Sequence, residues 1–228
     1  MDATRKTYLP AAGRDWMLPL YDPFMRLFGG DSTRTALIDQ AGLRPGHRVL
    51  DIGCGTGTLV ALIKRLHPQV DVVGLDPDPK ALARARRKAE RSGAPVRFDQ
   101  GYSDDLPYPD ASFDRVLSSF MFHHLEPGVK DATLREVRRV LKPGGSLHLL
   151  DFGGPSSGAH GVLAHLFHSS RRLKGNFDGG IVALMARGGL ANAREVSHRA
   201  TLFGPVAYSR AEAPAPAAGA GPRGDGSG

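Results

Sequence analysis

A short glycine-rich segment carries the clearest chemical pattern in the chain. Residues 50–57 read LDIGCGTG, with glycines at Gly53, Gly55 and Gly57. The segment follows a β-branched apolar run and precedes apolar residues at helical spacing, so it predicts a turn between a strand and a helix. Glycines at such a turn let a ligand approach the backbone N–H groups at a helix N-terminus. The pattern therefore predicts a site for a nucleotide-like ligand.

Two other nucleotide-binding patterns do not fit this loop. A dinucleotide fingerprint requires a glycine three residues after Gly55, where this chain has Thr58. A phosphate-binding loop requires Gly-Lys followed by Ser or Thr, and that tripeptide does not occur. A nicotinamide-dependent reductase on a similar sheet is an alternative, but its short-chain form needs Tyr-x-x-x-Lys, and no tyrosine has a lysine four residues later.

Two acidic residues accompany the loop. Asp51 stands two residues before the first glycine, and Asp76 stands 25 residues later at the tip of the next predicted strand. A carboxylate at Asp51 would repel a pyrophosphate but attract an ammonium group, which S-adenosylmethionine carries. Asp76 is placed to accept hydrogen bonds from both ribose hydroxyls. The loop and the two acids therefore predict one site.

The elements around the loop alternate between strand and helix patterns. Short apolar runs predict five strands, at residues 47–53, 70–76, 95–101, 113–120 and 145–152. Residues 194–203 and 206–212 predict an antiparallel hairpin. Helical patterns follow the first, second and fourth of these strands, and one around residues 178–188 precedes the hairpin. We therefore expect an α/β fold, a Rossmann-like doubly wound sheet of seven strands, mostly parallel with an antiparallel C-terminal edge hairpin.

Length and composition indicate a single domain. The 228 residues are 41% hydrophobic and 23% charged, which is typical of a globular protein. We expect a cap or lid over residues 1–34 and the main domain over residues 35–210, with its cofactor half at residues 35–152. Residues 211–228 are expected to form a disordered tail, because 14 of the 18 are Ala, Gly or Pro.

The charge and the cysteine content indicate which partners and which cellular compartment to expect. Thirty Lys and Arg against 23 Asp and Glu give a net charge of +7, but the basic residues are dispersed among acids, which indicates a solvated surface rather than a nucleic-acid interface. A non-catalytic cofactor-binding or RNA-binding protein of the same fold is the second alternative. The lone Cys54 excludes an internal disulfide and a Cys-based zinc site, and no metal is expected. We expect a cytoplasmic protein without a membrane span.

Four motifs occur together in a fixed order. They are VLDIGCGTG, the acid at Asp76, LPYPDASFD and RVLKPGG. Over about residues 35–152 the chain thus resembles the class I S-adenosylmethionine-dependent methyltransferases, in particular the type 11 and quinone-biosynthesis-like group. The resemblance implies an enzyme that transfers a methyl group from S-adenosylmethionine to a small, apolar or aromatic metabolite at O, C or N.

The resemblance also implies a set of cofactor contacts. These are Asp51, Gly53, Cys54, Gly55, Gly57, Asp76, Pro77, Ser103, Asp104, Ser119 and Tyr21. Tyr21 belongs to an N-terminal Tyr-Asp segment that folds over the cofactor in the family. The chain departs from the family twice: Tyr102 stands where an acid often contacts the adenine, and residues 122–125 read FHHL where the quinone enzymes tend to show Arg-Asn.

Three residues are candidates for acid–base chemistry. His123 and His124 follow the fourth predicted strand, and Asp151 ends the fifth. In a parallel sheet the carboxyl ends of the strands meet at one edge, so a His–Asp pair across these strands is expected there. Such a pair would act as a general base for an acceptor that must lose a proton. The alternative is that both histidines only position the following helix.

Overall fold

The computed structural model of the protein describes residues 30–93, 95–153, 176–177, 179–201 and 204–215. Most of the predicted N-terminal cap, including Tyr21, lies outside these residues, as does most of the predicted tail. None of the helices in the described ranges is long and apolar enough to cross a membrane.

The described residues form seven strands and five α-helices. The strands are β1 Arg48–Ile52, β2 Asp71–Asp76, β3 Arg97–Gln100, β4 Phe113–Ser119, β5 Leu141–Phe152, β6 Ala191–Thr201 and β7 Gly204–Glu212. The helices are α1 Gly30–Ala41, α2 Thr58–Leu66, α3 Pro79–Arg91, α4 Pro127–Val140 and α5 Gly180–Arg187, with a 3-10 turn at Phe122–His124. Each predicted strand is present, with bounds that differ by a few residues.

The strands form one seven-stranded sheet with the order β3-β2-β1-β4-β5-β7-β6. β1 to β5 are parallel, and β7 pairs antiparallel with both β5 and β6. The expected Rossmann-like sheet with an antiparallel edge hairpin is therefore confirmed. Its carboxyl-terminal edge brings the loops after β1, β2, β4 and β5 to the same end of the molecule.

Apolar side chains pack on both faces of the sheet. Successive residues of β1 alternate between the two faces, since Val49 packs with α1, α2 and α3 while Leu50 packs with α4 and α5. α5 falls within the range predicted for it and buries Ile181, Leu184 and Met185. Burial on both faces explains why the central strands read as nearly continuous apolar runs.

The fifth strand begins earlier than its sequence pattern predicts. β5 starts at Leu141, directly after α4 ends at Val140, rather than at Gly145. Its pairing with β4 shifts register between Phe113 and Arg115, opposite the Pro-Gly-Gly segment at residues 143–145. That segment interrupts the ladder without ending the strand, because a bulge accommodates residues that pair poorly.

The predicted boundary of the tail at residue 211 is wrong. β7 continues to Glu212, and Ala211 pairs with Leu147 of β5. The Ala213 N–H donates to the Gly145 carbonyl at 2.9 Å, and the alanine side chains at 211 and 213 are buried. The composition predicted disorder because alanine side chains bury little area. In the structure, backbone hydrogen bonds to β5 hold these residues in the sheet.

Truncation after Arg210 should therefore destabilise the protein. The shortened chain loses backbone hydrogen bonds to β5 and the burial of Ala211 and Ala213. A loss of about 2 kcal/mol would lower the melting temperature by about 4–8 °C in a chain of this size. Calorimetry on this variant, beside a chain ending at Ala215, measures the effect. Equal melting temperatures for both would contradict it.

Candidate active site

The glycine loop turns sharply over the end of β2. The N–H groups of Gly53 and Cys54 both donate to the Leu75 carbonyl, at 2.8 and 3.0 Å. Gly53 has a φ of +71°, and a Cβ there would collide with the side chain of Met121. A Cβ built on Gly55 would meet nothing within 4 Å, so the loop is open on this side. The loop thus has one packed face and one face that a ligand can approach.

Asp51 lies beneath this loop with an unusual environment for a carboxylate. It is 1% exposed, and neither side-chain oxygen has a hydrogen-bond partner among the described residues. Burial raises its pKa to about 8, with a further increase from Asp76 and an opposing effect of Arg34. A buried acid without a hydrogen-bonded partner is costly, unless a cation binds beside it.

Asp76 ends β2 and faces the same loop. Its carboxylate accepts the Gly55 N–H at 2.8 Å on one oxygen and the Asp78 N–H at 2.9 Å on the other. Burial raises its pKa to about 6, although these two N–H groups oppose the increase. Each carboxylate oxygen has a second acceptor site, so the group can still bind hydroxyls. The loop geometry and Asp76 are therefore coupled by one hydrogen bond.

Cys54 in the loop and Pro77 after β2 are two further predicted cofactor contacts. The Cys54 thiol is buried, and burial raises its pKa well above the ordinary value. Its sulfur lies 2.9 Å from where a Cβ on Gly74 would stand, so the thiol fills the space that the missing side chain of Gly74 leaves. Its environment is that of a packing residue and not of a reactive thiolate. The Pro77 carbonyl accepts a hydrogen bond from the Gln100 side chain at 3.1 Å.

The turn after β3 lies beside Asp76. The Gly101 N–H donates to the Asp76 carbonyl at 3.2 Å. The Ser103 hydroxyl is hydrogen-bonded to the Thr133 hydroxyl at 2.8 Å, so it is directed towards α4. Asp104 is half-buried in the same turn, and Ser119 is the half-buried last residue of β4.

The structure brings His123 and Asp151 into direct contact. The His123 Nδ1 atom lies 2.7 Å from one Asp151 oxygen, and the His123 backbone N–H donates to the other oxygen at 3.0 Å. The Phe152 N–H also donates to the carboxylate at 2.7 Å. Asp151 is fully buried, yet the His123 contact and these N–H groups hold its pKa below the ordinary value.

This contact leaves the other imidazole nitrogen available. An ionised Asp151 accepts a hydrogen bond from Nδ1–H, and in this tautomer Nε2 of His123 can accept a proton. The His124 ring lies beside the His123 ring, with 4.0 Å between centroids, and Asp151 is hydrogen-bonded to His123. The arrangement can therefore accept a proton from a substrate while Asp151 orients the ring.

Sequence reasoning did not single out two polar residues near this pair. Lys130 is buried in α4, and its ammonium donates to the Asn176 side-chain oxygen at 2.7 Å. Lys130 lies on the helix face that also carries Leu134 and Val137, at spacings of four and seven residues. A lysine in line with an apolar helix face is the signal that could have identified it. Within the described ranges no group of residues has the composition of a metal site.

Known proteins are similar in sequence to this chain. A family model described as a methyltransferase domain matches residues 49–145. Demethylmenaquinone methyltransferase of Thermus thermophilus is 41% identical over 152 residues, which cover 65% of this chain and 68% of that protein. The chain belongs to the class I S-adenosylmethionine-dependent methyltransferases. It is therefore an enzyme of that class rather than a nicotinamide-dependent reductase.

Other relatives agree with this assignment. Demethylmenaquinone methyltransferase of Deinococcus radiodurans is 40% identical over 152 residues, covering 65% of this chain and 62% of that protein. A ubiquinone/menaquinone biosynthesis C-methyltransferase of Pasteurella multocida is 40% identical over 121 residues, 52% of this chain and 44% of that protein. The chain thus spans between about half and two thirds of the length of these curated relatives.

Solved structures show the same fold at low sequence identity. The YcgJ protein of Bacillus subtilis superposes with a TM-score of 0.66 at 20% identity, covering 81% of this chain and 99% of that one. A phosphoethanolamine N-methyltransferase of Haemonchus contortus, solved with S-adenosylmethionine, gives a TM-score of 0.67 at 17% identity, covering 82% of this chain and 53% of that one. These proteins therefore share the fold of this chain even though few of their residues are identical to it.

Proposed function

We propose that the protein transfers the methyl group of S-adenosylmethionine to a ring carbon of a hydroquinone, the reduced form of a demethylmenaquinone-type quinone. The observation that carries the proposal is the 41% identity to an enzyme named demethylmenaquinone methyltransferase, over two thirds of that enzyme's length. The relative from Deinococcus radiodurans has the same printed name. Residues 122–125 read FHHL where the quinone enzymes tend to show Arg-Asn, so the methylated atom must be identified by experiment.

The proposed cofactor site uses the residues around the glycine loop. The orphaned carboxylate of Asp51 fits the ammonium of the methionine part, and the open face at Gly55 fits its backbone. Asp76 would accept hydrogen bonds from the ribose hydroxyls. The remaining residues of the proposed site are Gly53, Cys54, Gly57, Pro77, Ser103, Asp104, Ser119 and Tyr21, of which Tyr21 lies outside the described residues.

His123 is the proposed general base. When bound, S-adenosylmethionine supplies an electrophilic methyl group on a sulfonium whose sulfur leaves with the bonding electron pair. Nε2 of His123 would take the proton of an acceptor hydroxyl, and the oxygen's electrons then make the adjacent ring carbon nucleophilic. Asp151 would stabilise the resulting imidazolium through Nδ1. The ring carbon would gain the methyl group and lose its own proton, and the oxygen would regain a proton from the imidazolium, so one proton is released in total.

Methylation of an acceptor oxygen is a second candidate. The observation that favours it is the base itself, because a histidine that deprotonates a hydroxyl also activates that oxygen as a nucleophile. The two candidates share every residue of the proposed site and differ only in the atom that faces the methyl group.

The product of a labelled reaction distinguishes the candidates. The purified protein is incubated with demethylmenaquinol, kept reduced, and S-adenosylmethionine carrying a ¹³C-methyl group. A ring C–CH₃ resonance in the product supports the proposal, whereas an O–CH₃ resonance supports the second candidate. A reaction with oxidised demethylmenaquinone is the matched control, and equal turnover there would contradict the need for a hydroxyl proton.

Replacing Asp76 by alanine should weaken binding of the cofactor product. The variant leaves the ribose hydroxyls without their acceptor, a loss of ~1–3 kcal/mol, which is about 5- to 150-fold in the dissociation constant. Calorimetric titration with S-adenosylhomocysteine measures it. Asp71→Asn is the control, because Asp71 begins the same strand at the opposite end and is exposed. Unchanged affinity in Asp76→Ala would exclude Asp76 from the ribose site.

The charge and the single cysteine also support a proposal for the partners and the cellular compartment. We propose a small-molecule acceptor and no nucleic-acid partner, because the charge of +7 is dispersed over a chain with 23 acidic residues. A cytoplasmic location is proposed from the lone Cys54, which is buried and needs no oxidising compartment.

A further inference from the structure

Phe120 has a backbone conformation that phenylalanine rarely adopts. Its φ is +55°, directly after β4 ends at Ser119, and its N–H donates to the Leu150 carbonyl of β5 at 2.8 Å. The other non-glycine residues with a positive φ in the described ranges are Ala111 and Asn192, a small residue and a type that tolerates this region. A bulky side chain in this conformation costs free energy that glycine or asparagine would not, so the side chain itself needs a reason.

The turn that begins with Phe120 connects the two halves of the proposed site. Met121 packs against the glycine loop, since a Cβ on Gly53 would collide with its side chain. His123, three residues after Phe120, contacts Asp151 near the end of β5. The turn therefore brings position 120 to the same edge of the sheet as the proposed cofactor loop and the proposed base.

Aromatic rings continue from Phe120 to the proposed base. The centroid of the Phe120 ring lies 5.5 Å from that of the Phe152 ring, and the two planes are tilted by 54°. The Phe152 ring in turn meets the His123 ring edge to face, with 5.0 Å between centroids. Both phenylalanine side chains are half-buried and pack against the cluster that α1, α2 and α3 form with one face of the sheet. Phe120 and Phe152 therefore form an aromatic wall beside the proposed base.

Arg34 of α1 helps to fix the direction of the Phe120 ring. Arg34 is buried, and its guanidinium carbon lies 5.6 Å from the centroid of the ring. A cation over an aromatic face is attracted by the ring's quadrupole, and more strongly when water is excluded. The backbone of Phe120 is thus held by β5 and its ring by Arg34 and Phe152. A ring held in this way loses little freedom when a ligand binds, which favours binding.

We propose that Phe120 is a specificity-determining residue whose ring stacks on the planar ring of the methyl acceptor. Aromatic rings attract each other in offset and tilted arrangements beyond what their buried area provides, so the aromatic wall selects a planar acceptor over a saturated one of similar size. The inference rests on the proposed function, which supplies such an acceptor. It also gives the reason for a phenylalanine at a position where glycine would relieve the backbone.

Binding without turnover tests this role. Calorimetric titration of naphthohydroquinone, kept reduced, into the full chain saturated with S-adenosylhomocysteine measures the affinity. In Phe120→Leu, which keeps an apolar side chain, the affinity should fall about 3- to 10-fold, because the aromatic contact is lost. Phe120→Tyr keeps the ring and should bind within about twofold of the parent. The saturated decalin diol of the same skeleton should bind the parent and Phe120→Leu equally.

Phe122→Leu is the matched control. Phe122 lies in the same turn, but it is buried on the other face of the sheet, in the cluster with α4 and α5. The same substitution there should lower the melting temperature and leave the affinity of the folded protein for naphthohydroquinone unchanged. Equal losses of affinity in the two leucine variants would overturn the proposal. An unchanged affinity in Phe120→Leu, or a parent that does not bind naphthohydroquinone, would also overturn it.

A second pair of variants tests the backbone conformation. Phe120→Gly and Phe120→Ala both remove the ring, but only glycine adopts a positive φ without strain. Phe120→Gly should therefore melt about 2–4 °C above Phe120→Ala, while both bind naphthohydroquinone more weakly than the parent. An equal or lower melting temperature in Phe120→Gly would contradict the proposal, which starts from that conformation.

Methylation assays separate this inference from the proposed function. If demethylmenaquinol is methylated and Phe120→Leu has the KM of the parent, the proposed function stands and this inference fails. If naphthohydroquinone binding depends on Phe120 and demethylmenaquinol is not methylated, the role of Phe120 stands and the proposed function fails. Where both hold, Phe120→Leu should raise KM with kcat nearly unchanged, because stacking is lost from the bound substrate and the transition state alike.

Discussion

Replacing His123 by alanine should reduce the rate of methyl transfer by at least ~100-fold, with affinity for S-adenosylhomocysteine nearly unchanged. General-base assistance is worth about 10² to 10⁴ in rate, and the 2.7 Å contact with Asp151 orients the imidazole for it. Single-turnover rates with demethylmenaquinol, together with calorimetric titration, measure the two quantities separately.

The pH dependence provides a second measurement on the same variant. The rate of the parent should fall at low pH as the imidazole becomes protonated and can no longer accept a proton. His123→Ala should lack this limb. A limb of equal size in the variant would show that another group controls the rate.

His124→Ala is the matched control for this prediction. Its ring contacts the His123 ring in a tilted arrangement, with 4.0 Å between centroids, and lies in the same 3-10 turn, so its loss disturbs the packing there. If both histidines only position α4, each variant should have a lower melting temperature and retain its activity per folded molecule. A loss of activity confined to His123→Ala identifies the base.

The pairing of His123 with Asp151 was predictable from the sequence because it depends only on topology. His123 follows β4 and Asp151 lies near the end of β5, and the carboxyl ends of these neighbouring parallel strands meet at one edge. The glycine loop was predictable for a similar reason, since its glycines stand between a strand and a helix pattern. Local pattern and strand order together are sufficient for such sites.

The contact between Lys130 and Asn176 was not predictable in this way. The two residues are 46 positions apart, and Asn176 lies outside the parallel strands that set the geometry of the edge. The direction of Ser103 was equally hidden, because the Thr133 hydroxyl that it meets belongs to a helix 30 residues later. Side-chain direction depends on packing, which a single sequence does not contain.

Replacing Asp51 by asparagine should lower the affinity for S-adenosylhomocysteine by at least about 100-fold at pH 8. Removing one partner of a buried ion pair costs about 3–5 kcal/mol, because the remaining charge, here the ligand's ammonium, is left uncompensated. The estimate applies at pH 8, where ionising Asp51 costs little because its pKa is about 8. Calorimetric titration of parent and variant measures the difference, and equal affinities would remove Asp51 from the ammonium site.

Binding to the parent should also release a proton. Below pH 8 the Asp51 carboxyl is largely protonated in the empty protein, since burial raises its pKa to about 8, and an ammonium pairs with the ionised form. The affinity should therefore rise between pH 7 and 8, and the binding enthalpy should depend on the ionisation enthalpy of the buffer. Asp76 has a pKa of about 6 and titrates mainly below this window, so Asp76→Asn should retain a pH dependence, moved to lower pH because the charge of Asp76 contributes to the raised pKa of Asp51.

The stability of the empty protein should change in the opposite direction to its affinity. The pKa of Asp51 is about 8 in the folded chain against an ordinary value of 3.8, so the folded state holds a proton that the unfolded state has lost over this interval. The free energy of unfolding therefore decreases as pH rises towards 8, and this part of the decrease is absent in Asp51→Asn. At pH 8 the variant should melt at a higher temperature than the parent while it binds more weakly. A variant that is both less stable and weaker in binding would indicate general damage to the fold rather than the loss of a cation-binding carboxylate.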